Sequence, residues 1–303
     1  MKESRVSAAG VLYAIGAYGA WGISPLYWKL LSDLPALEVI AFRVLWGMVL
    51  LLGLLYWRRR GGEVREALRS PRVLRAFAVS ALLIGINWYL YLYAVYTDQI
   101  LQASLGYFIN PLFNVVLGMV FLHERLRPAQ WVAVGLAALA VARLAAQADT
   151  FPWISLTLVV SFGVYGLVRK TAPADALLGM NLETGFLVPV AAGYLFLLVG
   201  RGDATFVAAQ GSLLLLLAFT GVMTALPLLW FSNAARRLPL STLGFFQYIA
   251  PTGQFLLAVL LYREPFSAIQ LRSFILIWIA LAIFSLEAHF HHRRRVSAPP
   301  MGC

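Results

Sequence analysis

Two side chains of opposite charge stand deep inside long apolar segments of the sequence. Arg43 lies about seven residues into the segment 36–57, and Glu183 lies about six residues into the segment 177–200. At 1.5 Å of helix rise per residue, each is about 10 Å into an apolar layer about 30 Å thick. A charge at that depth is costly, and it marks either a pathway for a polar solute or a structural ion pair. Both alternatives stay open here: a binding role, or neutralisation by each other or by backbone carbonyl groups.

Amide side chains form a second group of candidates, because an amide in an apolar environment needs a hydrogen-bond partner. Asn110 and Asn114 are four residues apart, so they share a helical face, and they flank a proline. Gln247 and Gln254 bracket another proline in the same way. The remaining amides inside apolar segments are Asn87, Asn181 and Asn233. These side chains either line a polar site or fasten one helix to another.

Aromatic side chains with polar atoms form the third group. Those that fall well inside apolar segments are Trp21, Trp88, Tyr91, Tyr107, Tyr165 and Tyr248. An indole N–H or a phenol O–H in such a place needs a partner, and a pocket walled by these rings would suit an amphipathic or aromatic molecule. Ordinary packing is the alternative for each of them.

Motifs for other chemistries are absent from the sequence. There is no glycine-rich phosphate loop, no HExxH and no CxxC, and the single cysteine is Cys303. No metal site, cofactor or catalytic group is therefore predicted, and we expect that the protein is not an enzyme.

The composition indicates the environment of these residues. Hydrophobic residues make up 61% of the chain, charged residues only 12%, and the mean hydropathy is +0.79. Soluble domains carry about 25% charged residues. Apolar runs of about 20 residues recur along the chain, which predicts an all-α integral membrane protein. The net charge of +11 resides in short loops between these runs, so it indicates membrane topology and not nucleic-acid binding.

Ten transmembrane helices are predicted. Their approximate bounds are 10–31, 36–57, 73–95, 101–122, 129–147, 152–170, 177–200, 211–233, 240–262 and 267–290. With the N-terminus in the cytoplasm, eighteen lysines and arginines lie on the cytoplasmic side and four on the opposite side. This asymmetry predicts that both termini are cytoplasmic. The basic segment 58–75 is expected to lie on the membrane surface, against anionic lipid.

The chain contains an internal repeat. The motif SLGYF at 104–108 corresponds to TLGFF at 242–246, and a proline follows each copy. A glutamate stands thirteen residues after each proline, at Glu124 and at Glu264, and the second copy has two more residues between glycine and proline. A repeat of this kind sets the architecture.

The number of helices fixes how the two copies are related. Each half has five predicted helices, an odd number, so the second half must enter the membrane from the opposite side. The sequence therefore predicts two inverted five-helix repeats, 8–147 and 152–290, followed by a basic tail, 291–303. Inverted repeats are typical of secondary transporters, whose substrate site lies near the membrane midplane.

Five strings give the chain a family resemblance: WGISPLYWKL (21–30), ASLGYFINPL (103–112), YGLVRK (165–170), ALPLLWFSNAARRL (225–238) and LGFFQYIAPT (243–252). With these strings, and with two copies that end in ERL and REP, the chain resembles the EamA family of the drug/metabolite transporter superfamily. It resembles the RarD-like subfamily most closely, over about residues 10–285. The resemblance implies a ten-helix transporter of the inner membrane, with a substrate cavity between its halves.

The resemblance also implies which residues line that cavity. From the first half they are Trp21, Asn87, Tyr91, Tyr107 and Asn110. From the second half they are Tyr165, Asn233, Gln247 and Tyr248. Phe42 and Gln102 stand where relatives are expected to carry a polar residue and a carboxylate, which argues against proton coupling at those two positions.

The predicted function is that of a secondary active transporter, an exporter or exchanger of small amphipathic metabolites or drugs. Arg43 is expected to meet an anionic or carbonyl group of the substrate, and Glu183 is the candidate for proton coupling. The expected partners are a small-molecule substrate, membrane lipid and, as an open alternative, a second copy of the chain. The competing interpretations are a membrane-embedded enzyme acting on lipid-linked substrates and a non-transporting scaffold.

Overall fold

The computed structural model describes residues 7–31, 33–96, 100–146, 151–208, 211–261 and 268–296. All regular secondary structure in these residues is helical, as the sequence predicts. The helices are α1 (Ala8–Ile23), α2 (Pro25–Trp28), α3 (Ala36–Trp57), α4 (Gly61–Arg69), α5 (Pro71–Tyr96), α6 (Ile100–Leu122), α7 (Pro128–Ala145), α8 (Trp153–Thr171), α9 (Ala176–Arg201), α10 (Ser212–Arg237), α11 (Leu240–Gln247), α12 (Ile249–Leu256) and α13 (Ala268–Val296). Short 3₁₀ turns occupy Lys29–Leu31 and Thr205–Ala208, and a π turn follows α12 at Leu257–Leu261.

Seven of the helices found in the described residues are long and apolar enough to cross a membrane. They are α3, α5, α6, α7, α8, α9 and α10. Large apolar side chains cover their outer surfaces, for example Val190, Phe196 and Leu215, each more than 70% exposed. A surface of this kind is compatible with lipid rather than with water.

Two of the predicted helices are interrupted in the structure. The first ends at Ile23, and Pro25 begins the short helix α2, because proline cannot supply the N–H that would continue the helix. The ninth is divided into α11, α12 and the π turn. Pro251 lacks the N–H that would bond the carbonyl of Gln247, and Gln247 is the residue at which α11 ends.

Several contacts between helices of the two halves have a counterpart, in which each helix is replaced by the corresponding helix of the other half. α3 packs on α10 as α5 packs on α9, and α1 packs on α12 as α6 packs on α8. In the same way, α1 packs on α10 and α5 on α8. Other contacts between the halves join α3 with α9, α6 with α11, and α7 with α13. The largest cluster of buried apolar residues accordingly combines side chains of both halves.

Glycines set the closest contacts between helices. A Cβ atom on Gly221 of α10 would lie 2.5 Å from the carbonyl carbon of Trp46 in α3. A Cβ atom on Gly253 of α12 would lie 3.0 Å from the Cα atom of Gly22 in α1. Backbone meets backbone at both places, so α10 lies directly on α3 and α12 lies directly on α1.

A short helix marks one end of the bundle, which we call the α4 end. The predicted surface segment 58–75 contains α4, and Pro71 then starts α5. Arg60, just before α4, forms ion pairs with Glu63 and, at 2.6 Å, with Asp175 at the start of α9. Burial raises the pKa of Asp175, but the Leu178 N–H and the Arg60 guanidinium outweigh this effect and leave that pKa lowered. A half-exposed ion pair therefore joins the two halves at the α4 end.

Candidate substrate cavity

A small cavity lies among α3, α5, α9 and α10, where the two halves meet. Most of its wall is apolar, formed by residues that include Val44, Leu51, Met180, Leu187 and Leu228. Its other lining side chains are Arg43, Trp88, Glu183, Thr184 and Thr224. The two charges that the sequence places deep in apolar segments therefore line one cavity.

The close packing of α10 on α3 builds the Arg43 end of this cavity. Gly221 brings the two backbones together, and Thr224 follows three residues later, on the same face of α10. The buried hydroxyl oxygen of Thr224 accepts a hydrogen bond from Nε of Arg43 at 2.9 Å. One edge of the guanidinium group is thereby fixed.

Two indole rings lie close to the same guanidinium group. Its central carbon lies 4.8 Å from the ring centre of Trp28 and 4.7 Å from that of Trp88, which are cation–π distances. Among the described residues, no carboxylate lies within 4 Å of Arg43. Arg43 is thus held in place but not neutralised.

Tyrosine rings surround this end of the cavity. The hydroxyl groups of Tyr27, Tyr91 and Tyr107 lie within electrostatic range of Arg43. Tyr91 and Tyr107 form an edge-to-face pair with ring centres 5.9 Å apart. Tyr27 donates a hydrogen bond to the Leu216 carbonyl at 2.5 Å. Of the aromatic residues predicted to line a cavity, Tyr91 and Tyr107 are the two that the structure places near Arg43.

Glu183 lies in a denser polar network. Its carboxylate accepts a hydrogen bond from the Ser80 hydroxyl at 2.5 Å and one from the Tyr165 hydroxyl at 3.3 Å. Nη1 of Arg169 lies 3.7 Å away. Arg169 in turn donates to the Ser232 hydroxyl and to the Ala176 carbonyl, both at 3.0 Å. In the described residues Glu183 therefore pairs with Arg169. It forms no ion pair with Arg43, which was the alternative that the sequence left open.

The sequence analysis missed several of these partners. Arg169 counts there among the loop cations, yet it is 2% exposed. The signal for its position is its spacing, since Arg169 follows Tyr165 by four residues and lies on the same helical face. Ser80, Thr224 and Trp28 carry no comparable signal, because their partners lie on other helices and far away in the sequence.

Trp21 and Tyr165 belong to an aromatic cluster between α1, α8 and α10. The ring of Trp21 lies 6.0 Å from that of Phe162 and 5.9 Å from that of Phe231. Tyr165 stacks on Phe231 with ring centres 5.8 Å apart. Trp21 is packed in this cluster, whereas Tyr165 joins the cluster to Glu183 through its hydroxyl group.

Several of the predicted amides fasten helices together. Asn87 of α5 donates to the Leu158 carbonyl and to the Ser161 hydroxyl of α8, at 3.0 and 2.9 Å. Asn114 of α6 donates to Gln247 of α11 at 3.1 Å. These bonds lie away from the cavity and connect the two halves.

The remaining predicted site residues also lie outside the cavity wall. Tyr248 donates to the Phe108 carbonyl at 3.3 Å, and the side-chain oxygen of the buried Asn110 has no hydrogen-bond partner in the described structure. Asn233 bonds within its own helix, to the Leu229 carbonyl and to Arg237. Glu264 and the side chain of Gln102 lie outside the described residues.

The chain is similar to known proteins in sequence and in fold. Residues 8–145 match the model of the EamA-like transporter family. An uncharacterized transporter of Vibrio cholerae serotype O1 is 47% identical, over 94% of both chains. Protein RarD of Salmonella typhi is 46% identical, over 97% of this chain and 100% of its own. A protein crystal structure with 21% identity superposes with a TM-score of 0.71, covering 94% of this chain and 99% of the other, and shows the likeness of fold alone.

Proposed function

Because the chain belongs to the EamA family of membrane transporters, and within it to the RarD-like subfamily, we propose that it is a secondary transporter of small amphipathic metabolites or drugs. Transport would proceed by alternating access to the cavity among α3, α5, α9 and α10. The observation that carries this proposal is that two charges from different halves, the partly buried Arg43 and the buried Glu183, line one cavity at the junction of the halves. Such a position is where inverted-repeat transporters bind their substrates.

The packing pattern supports an inverted repeat of ten membrane-spanning helices. If α1, α3, α5, α6 and α7 correspond to α8, α9, α10, α11–α12 and α13, exchanging the halves converts each main contact between them either into itself or into another observed one. For example, the contact of α3 with α10 becomes that of α9 with α5. A two-fold axis in the membrane plane has this property, and it fits the proposed units 8–147 and 152–290. The proposal further takes both termini to be cytoplasmic, from the distribution of lysine and arginine, and export to be the direction of transport.

The predicted site residues take different parts in this proposal. Arg43, Tyr91 and Tyr107 would contact the substrate at one end of the cavity. The others (Trp21, Asn87, Asn110, Tyr165, Asn233, Gln247 and Tyr248) would line the path in the alternate state. Several of them, including Asn87 and Gln247, hold together helices of opposite halves, which alternating access must move relative to each other.

Glu183 is the proposed site of proton coupling. Its carboxylate faces the cavity and is held by Ser80, Tyr165 and Arg169, so a proton gained there would weaken its attraction to Arg169. In proteoliposomes, we expect Glu183→Gln to abolish proton movement on addition of substrate, while exchange of substrate across the membrane continues. Proton movement that persists in Glu183→Gln would remove Glu183 from the mechanism.

The transport proposal is tested by binding and by flux. The detergent-purified protein is screened for thermal stabilisation by amino acids, aromatic metabolites and amphenicols, since a ligand at a hundredfold excess over its Kd adds about 3 kcal/mol to the free energy of unfolding. Ligands found in this way are then tested for uptake into proteoliposomes. We expect stabilisation and uptake to be lost in Arg43→Ala and Tyr107→Ala and kept in Arg143→Ala, an exposed arginine of α7. Binding without flux would contradict a transporter.

A further inference from the structure

We propose that the substrates are organic monoanions, each with an apolar body and a carboxylate that binds the Nη atoms of Arg43. This inference rests on the proposed function, because it names the substrate class of the same cavity. It depends on how Arg43 is held, on how the other buried charges are neutralised, and on what lines the space between them.

Thr224 and two indole rings hold the guanidinium group of Arg43. Thr224 takes the Nε–H, and the ring centres of Trp28 and Trp88 lie 4.8 and 4.7 Å from the guanidinium carbon. No carboxylate of the described residues pairs with the two Nη atoms within 4 Å. A planar pair of nitrogens in this arrangement matches the two oxygens of a carboxylate.

The indole rings favour this binding mode in a second way. They cover part of the guanidinium group, and no described carboxylate within 4 Å supplies a counter-charge. A cation in such a place is costly, and an anion that enters the cavity removes that cost. The rings also fix the plane of the guanidinium group, so little side-chain entropy is lost when an anion binds.

The other two buried charges of the network do not need a ligand. Arg169 has Ser232, the Ala176 carbonyl and Glu183 as partners. Glu183 has that arginine together with two hydroxyl donors. The unbalanced charge among the described lining residues is therefore the single positive charge of Arg43, which disfavours a cationic substrate and leaves a neutral one without its best contact.

The space beside Arg43 indicates the rest of the molecule. Val44, Leu51, Leu187 and Leu228 form much of the wall, so the body of the substrate is apolar. Apart from Glu183, the polar side chains between them are the hydroxyl groups of Thr184 and Thr224. No second carboxylate is available among the described lining residues to balance an ammonium group, so the cavity suits a plain monoanion better than a zwitterion.

Three probes of nearly equal shape test this inference: 3-phenylpropionate, 3-phenylpropionamide and 3-phenylpropylamine. Their binding to the detergent-purified, unmodified full-length protein is measured by calorimetry at neutral pH. We expect the carboxylate to bind at least about tenfold more tightly than the amide, because a charged hydrogen-bonded pair replaces a neutral one. The amine is expected to bind most weakly.

Two substitutions then locate the carboxylate. Arg43→Gln should reduce the affinity for 3-phenylpropionate to about that for the amide and leave the affinity for the amide nearly unchanged. Arg43→Lys should keep the preference for the anion in weaker form, since it keeps the charge and loses the paired nitrogens. Arg143→Gln, a change of the same chemistry on an exposed face of α7, should bind all three probes as the unmodified protein does.

Several outcomes would overturn the inference: equal or tighter binding of the amide or the amine, undiminished binding of the carboxylate by Arg43→Gln, or binding of none of the three. If Arg43→Gln does not fold, the inference is tested by the order of affinities of the three probes for the unmodified protein and for Arg43→Lys. If, in any of these cases, neutral or cationic solutes are taken up into proteoliposomes, the proposed substrate class is wrong, whereas the proposal that the protein is a transporter remains supported.

Discussion

Two glutamates of the first half bind the second half with the same set of donors, at opposite ends of the bundle. Glu38, in the first turn of α3, accepts hydrogen bonds from the N–H groups of Thr205 and Phe206 and from the Thr205 hydroxyl, at 2.8–3.2 Å. Glu124, after α6, accepts them from the N–H groups of Leu240 and Ser241 and from the Ser241 hydroxyl, at 2.6–2.9 Å. Two consecutive N–H groups and a hydroxyl group satisfy each carboxylate.

The two contacts differ in burial and in what they hold. Glu38 is 1% exposed and binds the 3₁₀ turn at Thr205–Ala208, between α9 and α10, whereas Glu124 is partly exposed and binds the start of α11. The residue before α11 is Pro239, which supplies no side-chain cap, so Glu124 caps this helix from the other half of the molecule. The same donor set thus fixes a loop at one end and the start of a packed helix at the α4 end.

The largest effect is expected at the buried member of this pair. Glu38→Ala removes a buried carboxylate that accepts three hydrogen bonds, so it should lower the free energy of unfolding by about 2–4 kcal/mol. Glu38→Gln keeps one acceptor oxygen and should lose less. The midpoint of thermal unfolding in detergent measures both. A loss no larger than that of Glu124→Ala would mean that burial does not separate the two contacts.

A smaller and more local effect is expected for Glu124→Ala, about 1–2 kcal/mol, because water reaches the half-buried site and replaces part of the lost bonds. Hydrogen exchange sharpens the comparison. Glu124→Ala should speed exchange of the Leu240 and Ser241 amides, and Glu38→Ala should speed that of Thr205 and Phe206. Exchange that increases at both places in either variant would show that the two contacts are coupled and not separate.

The smallest effect is expected for the contact in which the second half supplies the acid, the ion pair of Asp175 with Arg60. Its side chains are 48% and 19% exposed, so Asp175→Asn should cost less than about 1 kcal/mol at neutral pH. The pKa of Asp175 is lowered on folding, so this contribution is present well above its ordinary value of 3.8 and is lost as the pH falls through the folded value. The difference in thermal midpoint between the unmodified protein and Asp175→Asn should therefore shrink at low pH and at high salt. If the difference in thermal midpoint instead grew as the pH is lowered, the pKa of Asp175 would not be lowered on folding.

The course of the helices could be predicted from the sequence, because apolar runs of membrane length need no knowledge of their partners. The predicted helix 36–57 has the bounds of α3. The depth of Arg43 and Glu183 likewise follows from counting residues along a helix, and both face the cavity. Periodicity alone did not indicate the break at Gln247, which depends on the position of Pro251 within the helix.

The partners of the charged residues could not be predicted in this way. Glu38 stands 167 residues from Thr205, and nothing in the pattern around it differs from that of an ordinary first-turn glutamate. Glu124 was noticed as a mark of the repeat, while its role as a cap depends on where α11 begins in space. Arg169 was placed among loop cations, because a lysine follows it and the end of α8 was taken as the edge of the apolar layer. Such pairings arise from tertiary packing, which a single sequence does not contain.

The contact of Gly22 with Gly253 has a consequence for the rate at which the protein changes state. Where helices interlock through side chains, sliding one past the other requires rotamer changes, and each adds to the barrier. Between α1 and α12 only backbone atoms meet at these two glycines, so a shift of α12 along α1 needs no rotamer change there; beside them it would have to break the hydrogen bond from the Gln254 side chain to the Trp21 carbonyl. The barrier to sliding at this contact is therefore low, and a single methyl group added at either glycine would raise it.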